Sequence, residues 1–242
     1  MNKAVILAGG TGSRLSPITR IINKHLLPVG NYPMIYWSIY KVREAGIEEI
    51  LLLTSREYLS LFIQLLGEGE EFNVKIKYKI QESATGIAGA LSLAKDFIGD
   101  EKFLVLLGDN IFQDSLQPYL YEFEDNRSGA FVLLKEVEQP EHYGIARFNK
   151  DKGEIISIVE KPKEEGPAYC VTGIYFYDPS VFSYIERISP STRGELEITD
   201  VNNFYLNDSL LSYEVLKGWW IDAGTPESLF LANKFVHKGD GK

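Results

Sequence analysis

Cysteine is almost absent from this chain, since Cys170 is the only one among 242 residues. A single cysteine cannot form an intramolecular disulfide and cannot build a cysteine-rich zinc site. The histidines are also few, and His25, His142 and His237 share no spacing typical of metal ligands. The sequence therefore gives no support to secretion or to a zinc protein.

Long apolar runs are missing as well. No window approaches the roughly 18 to 20 apolar residues that a membrane-spanning helix needs. The first residues, Met1–Ala4, lead directly into a short strand-like run instead of the apolar region of a signal peptide. We therefore expect a cytoplasmic protein without a membrane segment.

An excess of basic residues is absent too, because the formal net charge is −9. Nucleic-acid-binding proteins usually present a basic face, so this charge argues against a nucleic-acid partner. It leaves room for an anionic small molecule, since a few local cations can create a positive pocket. No Gly-x-Ser-x-Gly motif marks a serine nucleophile. The chemistry that remains is positioning and charge neutralisation, which are the main requirements of phosphoryl and nucleotidyl transfer.

A glycine-rich segment close to the N-terminus is the most informative motif present. The apolar run Ala4–Leu7 leads into Ala8-Gly9-Gly10-Thr11-Gly12-Ser13-Arg14, and Lys24 and Pro28 follow. Glycines let backbone N–H groups approach a ligand closely, and successive N–H groups can form an anion-binding nest. The spacing matches neither a Walker loop nor a dinucleotide fingerprint, which would need a third glycine at Leu15. A tight turn with a surface arginine is the plain alternative, but Arg14 and Lys24 together favour a phosphate-binding loop.

Strand-length apolar runs alternate with helix-period segments, and this pattern predicts an α/β fold with parallel strands in its first half. The second half is richer in strand signals. Predicted strands are Ala4–Leu7, Ile50–Leu53, Val74–Ile80, Phe103–Leu107, Ala130–Leu134, Gly144–Phe148, Glu154–Glu160 and Cys170–Tyr177. Predicted helices are Pro33–Ala45, Tyr58–Leu66, Gly86–Phe97, Pro179–Arg187, Ile198–Leu206 and Pro226–His237.

Two aspartates follow short apolar runs. Asp109 comes after Phe103–Leu107, and Asp222 follows Trp219-Trp220-Ile221. Ligands of parallel sheets bind beyond the carboxyl ends of the strands. The glycine-rich segment Ala8–Arg14, called the glycine loop below, and Asp109 should therefore face one crevice. Mg²⁺ prefers one or two carboxylates together with phosphate oxygens. From spacing alone, however, a helix N-cap is the more common role for each aspartate.

Three further positions carry candidate chemistry with ordinary alternatives. Lys161 follows a predicted strand and precedes Pro162, although most lysines are solvated. Gln81 has an amide suited to the edge of a base, and Gly86 could offer backbone hydrogen bonds, but both also fit an ordinary turn. The segment Arg193–Glu197 fits a solvated helix start or a salt bridge.

The joint motif set resembles the sugar-phosphate nucleotidylyltransferases, and among them the thymidylyltransferases that use glucose 1-phosphate. The match runs from Lys3 to about His237. The motifs that carry it are Leu7–Leu15, Lys24–Pro28, Gly108–Phe112, Glu160–Pro162, Val171–Asp178 and Arg193–Asp200. The resemblance implies a Rossmann-like three-layer α/β/α fold with a mixed, mostly parallel central sheet, as in nucleotide-diphospho-sugar transferases. It also implies one domain over residues 1–242, with a nucleotide-binding half of about 1–112 and a sugar-binding half of about 113–237.

The resemblance further implies a Mg²⁺-dependent reaction in which dTTP and α-D-glucose 1-phosphate give dTDP-glucose and pyrophosphate, the first step of dTDP-L-rhamnose and deoxysugar synthesis. It assigns catalytic roles to Arg14, Lys24, Asp109, Lys161 and Asp222, with Asp109 and Asp222 as the metal ligands. Nucleotide contacts fall on Leu7, Gly9, Gly10, Thr11, Gly12, Ser13, Gln81 and Gly86. Sugar contacts fall on Asn110, Tyr143, Gly144, Glu160 and Val171.

Two departures from the family pattern leave alternatives open. His25 stands where glutamine is frequent, and Gln81–Ala90 matches the base-side segment only in part, so a UTP-dependent uridylyltransferase is one alternative. A non-catalytic nucleotide-sugar sensor is another, which the full charge set disfavours, and Leu15 disfavours a dinucleotide-dependent oxidoreductase. The resemblance implies a homo-oligomer and a short form without the C-terminal extension of longer relatives.

Overall fold

The computed structural model describes residues 1–149 and 153–239. Within them the strands are β1 (Lys3–Leu7), β2 (Pro28–Val29), β3 (Tyr32–Pro33), β4 (Glu49–Thr54), β5 (Lys75–Ile80), β6 (Phe103–Leu107), β7 (Asn110–Phe112), β8 (Ala130–Val137), β9 (Gly144–Phe148), β10 (Ile155–Glu160), β11 (Ala168–Tyr177), β12 (Leu211–Val215) and β13 (Trp220–Asp222). The α-helices are α1 (Met34–Glu44), α2 (Leu59–Leu66), α3 (Gly86–Ser92), α4 (Lys95–Ile98), α5 (Gln117–Asp125), α6 (Val181–Ile185), α7 (Ile198–Asn207) and α8 (Pro226–Gly239). Short 3-10 helices cover Ser13–Leu15, Ile18–Arg20, Lys24–Leu26, Glu70–Phe72 and Pro140–His142.

The chain forms two compact units that are not consecutive halves of the sequence. The parallel-sheet unit comprises Asn2–Ala84, Val105–Gln117 and the chain from Gly218 onward. The mixed-sheet unit comprises Met1, Thr85–Leu104 and Pro118–Lys217. Asp222 therefore belongs to the same unit as the glycine loop. The prediction of a single domain with two successive functional halves stays a prediction.

In the parallel-sheet unit, β1 pairs with β4 and β4 pairs with β5, both in parallel register. The runs Ala4–Leu7 and Ile50–Leu53 are buried, as expected for parallel strands covered on both faces. The strand β5 lies at one end of this order and alternates, with Lys75, Lys77 and Lys79 on one face. Lysines on an edge strand discourage pairing with other chains.

A short antiparallel pair in this unit places the acidic residues. The strand β7 pairs with β13, and Asn110 lies opposite Asp222. An apolar cluster packs this pair against the N-terminal part of α1 and against α8; its members are Val29, Met34, Ile111, Ile221, Ala223, Ala232 and Val236. This packing holds Asp222 opposite Asn110, the residue that follows Asp109.

In the mixed-sheet unit, β11 pairs antiparallel with β8 and β9, and β9 pairs antiparallel with β10. The strand β12 pairs with β8 in parallel. The ladder between β9 and β10 places Gly144 opposite Glu160. None of the described helices in either unit has the length and apolarity needed to cross a membrane.

Two sequence predictions of local structure need correction. The predicted helix Gly86–Phe97 is interrupted, because α3 ends at Ser92 and α4 begins at Lys95. The predicted helix Pro179–Arg187 is shorter, since α6 covers Val181–Ile185. The strands β2, β3, β7, β12 and β13 and the helix α5 were not predicted at all.

Candidate active site

The glycine loop follows the carboxyl end of β1 and is open to solvent at Gly10, Thr11 and Ser13. Gly12 adopts a left-handed conformation with φ of +63°, and its carbonyl accepts a hydrogen bond of 2.8 Å from Thr19 Oγ1. An ideal Cβ built on Gly12 would lie 2.9 Å from Thr19 Cγ2. Both the backbone conformation and this close packing therefore require glycine at position 12.

The side chain of Gln81 lies directly over Gly9. A Cβ on Gly9 would collide with Gln81 Oε1. The backbone holds Gln81 in place, since its N–H donates to the carbonyl of Thr54 at 2.8 Å, at the end of β4. The structure thus brings Gln81 to the glycine loop, as the sequence predicts. Gly86 belongs to the mixed-sheet unit, where it packs against Leu196.

Lys24 forms an ion pair with Asp109, and both side chains are largely buried, with exposures of 12% and 9%. Burial by itself raises the pKa of the Asp109 carboxyl, but the charge of Lys24, together with His25 and the hydrogen bonds from Lys24 and Asn110, outweighs this effect. A second hydrogen bond of 3.1 Å comes from Asn110 Nδ2. The net result is an Asp109 pKa below its ordinary value, so this carboxylate is ionised at neutral pH.

Arg14 pairs with Asp222 at 3.3 Å between Nη2 and Oδ2. Burial raises the pKa of Asp222, and the negative charge of Asp109 raises it further, while Arg14 acts in the opposite direction. Two carboxylates that repel each other are an arrangement that a hard cation relieves. The four charged residues that carried the sequence hypothesis therefore lie together in one unit.

Neither aspartate caps a helix, although spacing alone favoured that role. Asp109 precedes the strand β7, and the next helix, α5, begins only at Gln117. Asp222 Oδ1 accepts from the backbone N–H of Gly224 at 3.1 Å. The helix α8 is capped instead by Thr225, whose Oγ1 accepts from Ser228 N at 3.1 Å.

Asn110 was assigned to the sugar, and its amide is engaged within the protein. Its Oδ1 accepts from Trp220 Nε1 at 2.7 Å, and its Nδ2 donates to Asp109. The residue is 3% exposed. These contacts orient the Asp109 carboxylate, while a direct contact with sugar stays a prediction.

A second polar cluster, in the mixed-sheet unit, surrounds Glu160. Thr199 Oγ1 donates to Glu160 Oε2 at 2.5 Å, and Arg193 Nη2 lies 3.3 Å from Oε1. Lys161 Nζ is 3.7 Å from Glu160 Oε1. A Cβ on Gly144 would lie 2.9 Å from Thr199 Oγ1, so glycine is required for this close approach.

Lys161 has a strained backbone, with φ of +43°. Its N–H donates to the carbonyl of Tyr143 at 2.9 Å, which ties the strained residue to another assigned position. Left-handed non-glycine residues cluster at functional sites because the surroundings must hold them there. Val171, also assigned to the sugar, is buried in β11 opposite Leu134.

The sequence assignment left out Thr199 and Arg193, which hold Glu160. Arg193 also bonds both oxygens of Glu197, at 2.9 and 2.8 Å, and Ser191 Oγ donates to Glu197 at 2.6 Å. The segment Arg193–Glu197 thus forms the salt bridge that the sequence left as an option. Thr199, two residues further along, gave no signal of its own.

The residues that match a known family model span nearly the whole chain: a model described as Nucleotidyl transferase matches residues 3–239. The chain belongs to the nucleotidyl transferase family. It is therefore an enzyme of this class, and the identification from sequence motifs is confirmed.

Two curated relatives and one solved structure show how far the similarity extends. The chain is 41% identical over 235 residues to the low-salt glycan biosynthesis nucleotidyltransferase Agl11 of Haloferax volcanii, covering 97% of this chain and 66% of the relative. It is 43% identical over 237 residues to the glucose-1-phosphate thymidylyltransferase of Neisseria meningitidis, covering 97% of this chain and 82% of the relative. A crystal structure of a Bacillus anthracis protein described as a glucose-1-phosphate thymidylyltransferase, in complex with sucrose, superposes with a TM-score of 0.92 at 51% identity, covering 98% of this chain and 95% of that one. The predicted α/β fold with a mixed, mostly parallel central sheet is confirmed by this likeness.

Proposed function

We propose that this enzyme transfers a thymidylyl group from dTTP to α-D-glucose 1-phosphate, releasing pyrophosphate and dTDP-glucose. The observation that carries the proposal is the juxtaposition of the Lys24–Asp109 and Arg14–Asp222 pairs with the open glycine loop. The same activity is named for the Neisseria meningitidis relative and the Bacillus anthracis structure. The product would enter dTDP-L-rhamnose and deoxysugar synthesis.

The reaction needs the sugar phosphate and the α-phosphorus of dTTP held in line, and it needs the charge on the leaving pyrophosphate neutralised. We assign the backbone N–H groups of the glycine loop to the triphosphate, with Arg14 stabilising the leaving pyrophosphate. Lys24 bridges phosphate oxygens near the reacting phosphorus. Fixed cations that act on charge developing in the transition state typically contribute a few kcal/mol each.

The nucleoside and the sugar each have an assigned set of residues. Leu7 and Gln81, which lie beside the glycine loop, are assigned to the nucleoside, and Gly86 is assigned to the pyrimidine edge. Glu160 and Gly144 are assigned to the glucose hydroxyls, with Tyr143, Val171 and Asn110. Lys161 is assigned to the phosphate of the sugar substrate.

Asp109 and Asp222 fit a magnesium ion. The two carboxylates are largely buried. Burial is the main cause that raises the pKa of Asp222, and repulsion by the Asp109 carboxylate is the second. Mg²⁺ takes one or two such carboxylates and completes its shell with phosphate oxygens and water. When bound, the ion would neutralise charge on the nucleotide phosphates. The cytoplasmic location and the homo-oligomer expected from sequence stay predictions.

Product analysis tests this proposal. The enzyme is incubated with Mg²⁺, glucose 1-phosphate and either dTTP or UTP, and the nucleotide sugar is identified by mass spectrometry. We expect dTDP-glucose as the preferred product. A clear preference for UTP would make the enzyme a uridylyltransferase, and binding without turnover of either nucleotide would make it a sensor.

A further inference from the structure

Lys24 is flanked by two polar side chains that are almost completely buried. Asn23 is 2% exposed and His25 is 1% exposed. Burying an amide and an imidazole costs free energy unless both are hydrogen-bonded. Neither side chain is accessible to a substrate, so their place beside Lys24 requires another explanation.

Asn23 links the short 3-10 helix Lys24–Leu26, called the Lys24 turn below, to the glycine loop. Its Nδ2 donates to the carbonyl of Ala8, the residue before Gly9, at 3.0 Å. Its Oδ1 accepts from the backbone N–H of His25 at 2.9 Å and lies 2.7 Å from His25 Nδ1. A carbonyl oxygen can only accept, so the imidazole carries its proton on Nδ1 and donates to Asn23.

The His25 ring links the same turn to the segment that carries Asp109. A Cβ built on Gly108 would lie 2.7 Å from His25 Cδ2, so the ring packs directly against the backbone that precedes Asp109. The N–H of Gly108 in turn donates to the carbonyl of Leu7 at 3.0 Å. The glycine loop, the Lys24 turn and the backbone before Asp109 therefore all contact the buried side chains of Asn23 and His25.

We propose that Asn23 and His25 form a brace that fixes the Lys24 ammonium against Asp109 and holds both beside the glycine loop. They are positioning residues and act on the reaction through Lys24 and Asp109. The inference rests on the proposed function above. A displacement of about 1 Å in such a site can cost about a hundredfold in rate.

Two variants break the brace in different places. Asn23→Ala removes the bonds to Ala8 and His25, and His25→Phe keeps a ring against Gly108 but removes the donor. Tyr177→Phe is the matched control, because it also removes one buried hydrogen bond, from the Tyr177 hydroxyl to Asn202 at 2.6 Å, outside the site. His25→Asn is the conservative variant, since its amide nitrogen can take the place of Nδ1.

Hydrogen exchange and steady-state kinetics are measured for all four variants. We expect faster exchange in Asn23→Ala and His25→Phe at residues 5–15, 22–28 and 105–112 together, with none of these changed in Tyr177→Phe. We also expect kcat to fall by about tenfold to a hundredfold in both, with the KM for glucose 1-phosphate within about threefold of wild type. His25→Asn should recover part of the turnover that His25→Phe loses.

Two results would overturn the brace. One is faster exchange confined to residues 22–28, and the other is a loss of kcat no larger than that of Tyr177→Phe. Wild-type turnover is measured first with dTTP. A wild type that makes no dTDP-glucose would contradict the proposed function, and the exchange data would still decide the brace.

Discussion

Lys24 and Asp109 neutralise each other in this structure, and so do Arg14 and Asp222. A triphosphate with its metal offers each of these groups a new partner of opposite charge. The cations can turn to phosphate oxygens while the carboxylates turn to the metal. The four charged side chains can therefore bind the triphosphate and its metal, and they neutralise one another when no substrate is bound.

Substitution of the paired residues should remove turnover and spare the fold. We expect Lys24→Met and Asp222→Asn each to lower kcat by about a hundredfold to a thousandfold, since each removes one charge at the reacting phosphates. Lys95→Met is a suitable control because Lys95 forms an exposed surface pair with Glu186. Circular dichroism checks the fold. A variant with near-normal turnover would exclude that residue from the chemistry.

His25 should make the stability of the protein pH-dependent. Burial, followed by the charge of Lys24, lowers the His25 pKa from its ordinary 6.5 to about 3. Between these values the unfolded state binds a proton that the folded state does not, so the free energy of unfolding falls as pH drops through this window. The slope from this group is at most about 1.4 kcal/mol per pH unit.

Urea unfolding between pH 4 and pH 7 measures this contribution. We expect His25→Asn to show a shallower pH dependence than wild type, and His142→Gln, which replaces a half-exposed histidine, is the control. Equal slopes in His25→Asn and wild type would show that folding does not lower the pKa of His25.

At the scale of elements, the pair β7–β13 decides the geometry of the site. It places Asp222 opposite Asn110 and so beside Asp109, although 112 residues separate Asn110 from Asp222 in sequence. The backbone bond from Ala223 N to Asp109 O, at 2.9 Å, reinforces this pairing. Gly224, two residues after Asp222, packs closely against the Arg14 guanidinium.

Substitution of Gly224 tests whether the close backbone packing at this position holds the Arg14 side chain in place. A Cβ at this position would lie 2.5 Å from Arg14 Nη2 and 2.8 Å from Asp222 Oδ1. We expect Gly224→Ala to displace Arg14 and to lower kcat/KM for dTTP by about tenfold or more. Gly46→Ala is the control: its φ of +80° makes alanine strained, but its Cβ has open space, so it should cost stability alone. Equal kcat/KM values in the two variants would contradict the claim that Gly224 is needed to position Arg14.

The strands that the sequence predicted well are either short continuous apolar runs or strictly alternating runs. Ile50–Leu53 and Phe103–Leu107 are apolar runs of strand length, and Val74–Ile80 alternates between apolar and polar residues, so each pattern favours a strand. The pair β7–β13 escaped prediction because strands of three residues are too short to show a period. The sequence could therefore nominate Asp109 and Asp222, but only the pairing of β7 with β13 brings them together.

Side-chain networks were predictable to a smaller extent. The resemblance nominated Glu160 and Lys161, yet nothing in the sequence pointed to Thr199 as the partner of Glu160. Asn23 gave no signal in the sequence, and His25 stood out only as a departure from the family pattern, so the role proposed for them follows from burial and hydrogen bonding. Contacts between residues distant in sequence leave no local pattern to read.

At the scale of the whole molecule, the net charge of −9 opposes the approach of a free triphosphate. Asp109 and Asp222 add to this repulsion unless a cation is present. We therefore expect removal of divalent cations with EDTA to abolish turnover and to weaken dTTP binding in calorimetry, with both restored by Mg²⁺. Full turnover in EDTA would refute the metal role of the two aspartates.

The central claim is that an oxygen of the sugar phosphate attacks the α-phosphorus of dTTP while pyrophosphate leaves. Glucose 1-phosphate labelled with ¹⁸O in its non-bridging phosphate oxygens, followed by ³¹P NMR of the products, tests it most directly. We predict that every labelled oxygen stays bonded to the glucose-linked phosphorus of dTDP-glucose, that one of them also bridges to the thymidine-linked phosphorus, and that none appears in pyrophosphate. Label in pyrophosphate, or turnover of dTTP without a labelled nucleotide sugar, would contradict the account.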